Sequence, residues 1–281
     1  MVEMVNKNLL SVTESFGYDI AEYVNHQRFR QWSENDTNLS RYQSLQGDIQ
    51  RNMKGAYVDI IEAIKQRKSI RDFKDDQVPQ NVIRELLEIA CRAPSAMNTQ
   101  PWEFTVIAKD VLEMVKSTNI EKFQAGEKPH SEHSVVGWPT ESVYRHRQVN
   151  LAKQIFQLMD IKREDADKRS QWSEKGFKFF NAPAVIVVCV DRILAEGTPI
   201  FDIGAVTQNI CLTALHFGLG TCIEDQGVMY PEVLRKFCDI PETKQIIITI
   251  AIGYPNWDFP ANQLETTRES VDTLTTWCGF N

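Results

Sequence analysis

The chain has no C-x-x-C pair, no G-x-S-x-G elbow, no apolar run near membrane length and no surplus of positive charge. Each absence excludes a class of function. The six cysteines (Cys91, Cys189, Cys211, Cys222, Cys238, Cys278) stand at least eleven positions apart, which disfavours a zinc site or a thioredoxin-like redox pair. Several lie inside apolar runs, where cysteine acts as a small buried hydrophobe. No stretch reaches the roughly 18 apolar residues of a membrane helix. The greasiest segments, Ala184–Val190 and Ile246–Ile252, are of strand length. The start, Met1-Val-Glu-Met-Val-Asn-Lys, lacks the basic-then-apolar layout of a secretion signal. Together with unpaired thiols, this gives a reducing cytoplasm as the expected compartment. With 31 Lys and Arg against 38 Asp and Glu, the net charge is −7. Such a chain is a poor general binder of nucleic acid or anionic membrane, yet it can still carry a local basic pocket.

What is present is ordinary globular material: 281 residues, 42% hydrophobic and 25% charged. Residues 1–54 are polar and mixed, and are expected to form an N-terminal extension ahead of a body spanning 55–281. Tyr57, Ile60, Ile61 and Ile64 recur at helical spacing and predict an amphipathic helix to about Gln66. Pro79 opens a second helix with Val82, Leu86, Leu87 and Ala90 on one face. Trp102–Ile107, Pro183–Val190, Gly220–Glu224 and Gln245–Ile252 read as strands. Ile203–Phe217 reads as an apolar helix, with Val206, Ile210, Ala214 and Phe217 on one stripe, ended by Gly218. The charged, Gly/Pro-punctuated stretch 110–175 is too long for an ordinary connection and is expected to be a lid or insert. Strands separated by helices give an α+β or α/β class.

Two segments carry candidate chemistry. Arg67-Lys68-Ser69-Ile70-Arg71 sets three cations and a hydroxyl within five residues at a helix end. Guanidinium forks suit phosphate oxygens; alone, the cluster reads equally as a solvated basic turn. Pro94-Ser-Ala-Met-Asn98-Thr-Gln100-Pro101 is a loop bracketed by prolines, whose amides suit a ring edge with donors and acceptors or simply cap the loop. Gly218-Leu-Gly-Thr-Cys-Ile is no dinucleotide fingerprint, because it follows a helix and has Ile at its sixth position. His130-Ser-Glu-His133 offers two histidines in a polar loop, expected to be solvated rather than metal-bound.

At this order and separation, the two segments resemble the FMN-dependent nitroreductase family. Asn181-Ala-Pro-Ala-Val-Ile, Asp202-Ile-Gly-Ala-Val-Thr-Gln-Asn, Gly218-Leu-Gly-Thr-Cys, Ile252-Gly-Tyr-Pro and Arg268 before a terminal helix add to the likeness, which covers about residues 57–281. The resemblance implies an α+β, three-layer fold: a mixed, mainly antiparallel sheet flanked by helices, in an intertwined homodimer with composite active sites. It implies FMN as cofactor, NADH or NADPH as donor, a nitroaromatic or quinone-like acceptor and ping-pong turnover. Arg67, Lys68, Ser69, Arg71 and Arg268 would surround the phosphate. Pro94, Ser95, Ala96, Asn98 and Gln100 would line the ring and ribityl chain across the dimer interface. The backbone at Glu224 and Asp225 would lie near the reactive ring nitrogen. Family members often carry Gly directly after this Glu, whereas here Asp225 and Gln226 intervene. No side chain is assigned as catalytic, because the chemistry would belong to the flavin.

Phe123, Trp138, Tyr144, Arg145 and Arg147 are expected as an aromatic and cationic rim, or else as residues that pack the lid or face solvent. Two other functions are compatible with the same resemblance. One is a reductive dehalogenase or flavin-linked dehydrogenase; Glu141, Tyr144 and Lys153 or Lys162 supply the dehalogenase residue types without an alignable spacing. The other is a flavin-binding redox sensor with little turnover.

Overall fold

The computed structural model describes residues 59–133, 137–194 and 198–280. The expected extension, 1–54, lies outside the described residues, as does Tyr57. Helix α1 is Ile60–Gln66, started by the Asp59 carboxylate, which accepts from the Ile61 and Glu62 amides at 2.9 and 3.3 Å. Helix α2 is Gln80–Ala90, and its buried stripe is Ile83, Leu86 and Ala90, with Val82 and Leu87 at its margins. The polar turn between α1 and α2 is extended. The Ile70 amide donates to the Thr221 carbonyl at 2.9 Å, and Ser69 bridges Thr221 in parallel sense.

Four strands follow: β1 (Trp102–Ala108), β2 (Ala184–Asp191), β3 (Gly220–Glu224) and β4 (Lys244–Gly253). They form one sheet in the order β1-β2-β4-β3, with every neighbouring pair antiparallel. Trp102 stands opposite Val190, Ala184 opposite Ile252 and Gly220 opposite Gly253. β2 is buried along nearly its whole length because both sheet faces are covered, hence its unbroken run of β-branched residues. Helices α3 (Lys109–Gln124), α5 (Ala166–Phe177) and α7 (Pro231–Cys238) cover one face, where Leu112, Val115, Phe177 and Leu234 meet Val185, Val187 and Ile246. On the other face, α2 and α6 (Thr198–His216) bring Leu86, Val206, Ile210 and Ala214 against Ile186, Val188 and Ile250. The result is the expected three-layer α+β fold. Its mixed character rests on the one parallel bridge at Ser69.

Two features differ from expectation. Residues 109–124, placed in the lid by sequence, belong to the body: Leu112 and Val115 of α3 are at most 1% exposed. Only the later part of 110–175, around α4 (Val143–Leu158), stands away from the sheet. And α6 begins at Thr198, with Pro199 in its first turn, where the missing N–H costs nothing. Its end is as read, with Gly218 at φ 68°. The tail runs through a short 3-10 turn at Pro260–Gln263 and an irregular stretch to α8 (Val271–Leu274).

Candidate functional site

The Arg67–Phe73 segment is held from three sides. Ile70, 2% exposed, plugs into the core beside Gly220, where an added Cβ would come within 2.5 Å of its side chain. Asp72 is a hub: its carboxylate accepts from Lys175 Nζ at 2.9 Å, Asn181 Nδ2 at 3.0 Å and Asn256 Nδ2 at 2.8 Å. Asn262, fully buried, donates to the Asp72 carbonyl at 2.8 Å and accepts from the Arg71 amide at 2.6 Å. This network fixes the backbone and reaches one of the cations, Lys68, whose Nζ donates to the Asn262 carbonyl at 3.3 Å.

The segment borders a cavity of about 770 Å³ lined by Arg67, Lys68, Ser69 and Arg71, by α4, and by the tail from Leu264 to Leu274, Arg268 included. Five of its wall residues are cationic (Arg67, Lys68, Arg71, Arg147, Arg268) and one, Glu269, is acidic. Among the described residues, only Arg147 has an ion-pair partner, Glu269 at 3.0 Å. Arg71 donates from Nη1 to the Ser69 carbonyl at 3.2 Å. Burial pulls its guanidinium below the ordinary arginine value, with Cys222 acting in the opposite sense. Arg268 donates to Thr266 Oγ1 at 2.8 Å and to the Thr267 carbonyl at 2.9 Å. Partly desolvated cations without acidic partners form a site for an anion.

One chain thus gathers the sequence-predicted set Arg67, Lys68, Ser69, Arg71 and Arg268. It does not bring the second set to the same cavity. Pro94, Ser95, Ala96, Asn98 and Gln100 form a loop beside α6, where the Ala96 amide donates to Asp202 Oδ2 at 3.2 Å and the Gln100 amide to Ser95 Oγ at 3.0 Å. Met97, Asn98 and Gln100 hold left-handed backbone (φ 51°, 59° and 47°), and Met97 is 96% exposed. Conformations of that kind cost of order 1–3 kcal/mol each and cluster at ligand clamps.

Glu224, at the end of β3, is buried, and neither carboxylate oxygen has a hydrogen-bond partner among the described residues. Burial, reinforced by Asp225, lifts its carboxyl well above the ordinary value. Asp225 is also raised by burial, with His133 opposing. Neither residue lines the cavity. The expectation concerned only their backbone; the structure adds a buried carboxyl without a hydrogen-bond partner among the described residues.

The rim is partly corrected. Trp138, Tyr144 and Arg147 line the cavity. Phe123 instead packs on Phe177 in the core, ring centroids 4.8 Å apart, and Arg145 hydrogen-bonds Gln148. Sequence reading missed Gln148, Leu151 and Gln154. With Tyr144 and Arg147 they recur at i, i+3, i+4, i+7 and i+10, a helical face that a search for apolar stripes overlooks because it is mostly polar. His130 pairs with Glu232 at 3.3 Å.

The fold and the site together define an α+β protein with a cation-lined cavity beside a helix-flanked antiparallel sheet. Its family follows from comparison. The nitroreductase family profile matches residues 64–254, most of the chain, and the chain belongs to that family. It is 29% identical over 219 residues to the nitrobenzene nitroreductase of Ectopseudomonas oleovorans, covering 78% of this chain and 96% of that one. It is 28% identical over 219 residues to a 4-nitrobenzoate reductase of Nocardioides sp. strain LMS-CY, covering 76% and 87%. In fold it resembles the FMN and NADPH-dependent nitroreductase NfnB of sphigopyxis sp. strain HMH, with TM-score 0.76 at 24% identity over 79% of this chain and all of that one.

Proposed function

We propose that the chain is an FMN-dependent oxidoreductase that takes electrons from NADH or NADPH and delivers them to nitroaromatic or quinone-like acceptors. The observation that carries this is the convergence of Arg67, Lys68, Arg71 and Arg268 on one cavity, none of them ion-paired to a carboxylate among the described residues. The cavity's size lies within the range of about 300–1,000 Å³ typical of small-molecule sites. The residues fit the group: a near-dianionic phosphate monoester matches the partly buried Arg71, the Ser69 hydroxyl and the guanidinium of Arg268. Bound there, FMN would supply the two-electron chemistry that links a nicotinamide donor to the acceptor.

The chain's own residues bind and orient. Arg67, Lys68, Ser69, Arg71 and Arg268 hold the phosphate. The backbone at Glu224 and Asp225 would be set near the reactive end of the ring, and the burial that raises the Glu224 carboxyl disfavours a negative charge on it. Trp138 and Tyr144 cover the acceptor's side and exclude water. Pro94, Ser95, Ala96, Asn98 and Gln100 complete the site from a second copy of the chain, because their strained, exposed loop lies off the cavity of its own chain.

A homodimer with composite sites accounts for the exposed apolar surface. Ile60, Ile61 and Ile64 of α1 are more than half exposed, Phe201 of α6 is 80% exposed, and Trp277 and Phe280 of the tail are 60% and 78% exposed. Isolated monomers rarely show so much. Six free cysteines suit the reducing cytoplasm. Among the described residues, no helix is long and apolar enough to cross a membrane. Of the four residues named for a dehalogenase set, Tyr144 lines the cavity, while Glu141, Lys153 and Lys162 are exposed elsewhere; this favours the nitroaromatic reading.

The test is anaerobic stopped-flow of the purified protein. Flavin absorbance should bleach on mixing with NADH or NADPH and return on mixing with a nitroaromatic or quinone. Bleaching without return with any acceptor would convert the assignment to a redox sensor. A protein that neither carries nor takes up FMN would overturn it.

A further inference from the structure

We infer that Arg147 selects acceptors bearing a carboxylate, and that Glu269 occupies Arg147 until such an acceptor arrives. The inference deepens the proposed function and rests on it for the identity of the cavity. Its premise is a charge count. The cavity wall carries five cations and one acid. A phosphate dianion held by Arg67, Lys68, Arg71 and Arg268 leaves positive charge in excess. Arg147 is the cation that α4 contributes to the cavity wall.

The geometry of Arg147 is that of a carboxylate reader held in reserve. Its Nε donates to Glu269 Oε1 at 3.0 Å, and both side chains are 42% exposed. A half-exposed ion pair of this kind is weak and easily exchanged. The contact recorded for Glu269 is made through Nε alone, so an incoming carboxylate that engages the guanidinium fork at two points is the better partner. The guanidinium lies over the Tyr144 ring, 5.9 Å from its centroid, which limits the directions it can take. Tyr144 and Trp138, both exposed and both on the cavity wall, offer flat faces for an aromatic body whose carboxylate reaches Arg147. Leu151 and Leu274 add apolar surface to the same cavity wall. An aromatic acid therefore meets an aromatic face and a cation, and it exchanges one carboxylate for another at Arg147.

The test measures binding apart from turnover. Benzoate, which carries the carboxylate but no reducible group, is titrated into the purified flavoprotein by calorimetry against benzamide, its neutral isostere. The wild type is expected to prefer benzoate by about tenfold to hundredfold, the worth of one charge-assisted contact. R147Q should abolish the preference, and R147K, which keeps the charge without the fork, should retain part of it. E269Q should tighten benzoate by removing its competitor. The same ratio is expected in kcat/KM for 4-nitrobenzoate over 4-nitrobenzamide. A preference that survives R147Q, or benzoate binding weakened by E269Q, overturns the inference. So does a loss in R147Q that falls on NADPH relative to NADH, which would make Arg147 a reader of the donor's phosphate. Flavin content is read separately by visible absorbance, so a missing flavin would sink the proposed function while the benzoate ratio still reports on Arg147.

Discussion

Replacing Arg67 and Arg71 together by alanine is expected to give a folded protein without colour. The fold should survive because the segment is held by other atoms. The Ile70 amide donates to the Thr221 carbonyl at 2.9 Å, the Arg71 amide to Asn262 Oδ1 at 2.6 Å, and Ile70 is 2% exposed. None of these contacts uses a guanidinium. The empty cavity should even relax, since two partly desolvated like charges are gone. What is lost is two charge-assisted contacts to phosphate, each about 1.5–3 kcal/mol, so FMN affinity should fall by on the order of 10²–10⁴. Quenching of flavin fluorescence on titration into apoprotein measures this, with circular dichroism as the check on folding. Riboflavin, which has no phosphate, supplies the internal control. The wild type should bind it far more weakly than FMN, and the double variant should narrow that gap by roughly the same 10²–10⁴, with Lys68, Ser69 and Arg268 keeping a remainder. If the double variant binds FMN with native affinity, the cationic cavity is not the phosphate site.

Four further outcomes are expected. Glu224, raised well above its ordinary 4.5 by burial, favours the folded state while protonated, so the wild type should lose stability as pH rises from about 4.5 until this carboxyl ionises. E224Q should flatten that slope in thermal melts run across pH, leaving a residue of the same sign from Asp225. Asp72→Ala removes three side-chain hydrogen bonds around a mostly buried carboxylate and should cost about 2–4 kcal/mol in urea unfolding. Asn98 holds φ 59°, so Asn98→Ala mixes backbone strain with loss of the amide. Asn98→Gly keeps the backbone, and if the amide touches the flavin in a second copy, both variants should weaken FMN binding in the same titration. Gly227→Ala would set a Cβ 2.2 Å from Thr249 Oγ1 and 2.4 Å from Phe179 Cε1, and should lower stability by about 1–3 kcal/mol in calorimetry.

The layered fold was legible where physics is local. β2 and β4 show as β-branched runs because both faces of the sheet are covered, and α6 shows as a stripe closed by Gly218. The phosphate-type cluster was legible because its residues are neighbours in sequence. The rest depended on distant contacts. α3 reads as exposed lid because charges interleave with Leu112 and Val115, and because one of its inward residues is the polar Asn119, whose Nδ2 donates to the Phe177 carbonyl at 3.3 Å. Glu224 gives no local sign of its buried, unpartnered state; only the approach of other elements strips it of water. Phe123 and Arg147 are both plausible rim residues in one dimension, and only the packing of α3 on α5 sends the first inward.

The distribution of thiols gives the chain a ready place for a reporter. Burial pushes Cys189 up to about 12 and raises Cys222 likewise, whereas Cys278 is exposed. A maleimide dye should therefore label the undimerised chain first at Cys278, four residues past Leu274 on the cavity wall and ahead of the half-buried Cys91 and Cys238, and a dimer that covers Trp277 and Phe280 should slow it. Its emission would follow the tail as the cavity fills and empties, with no engineered cysteine required.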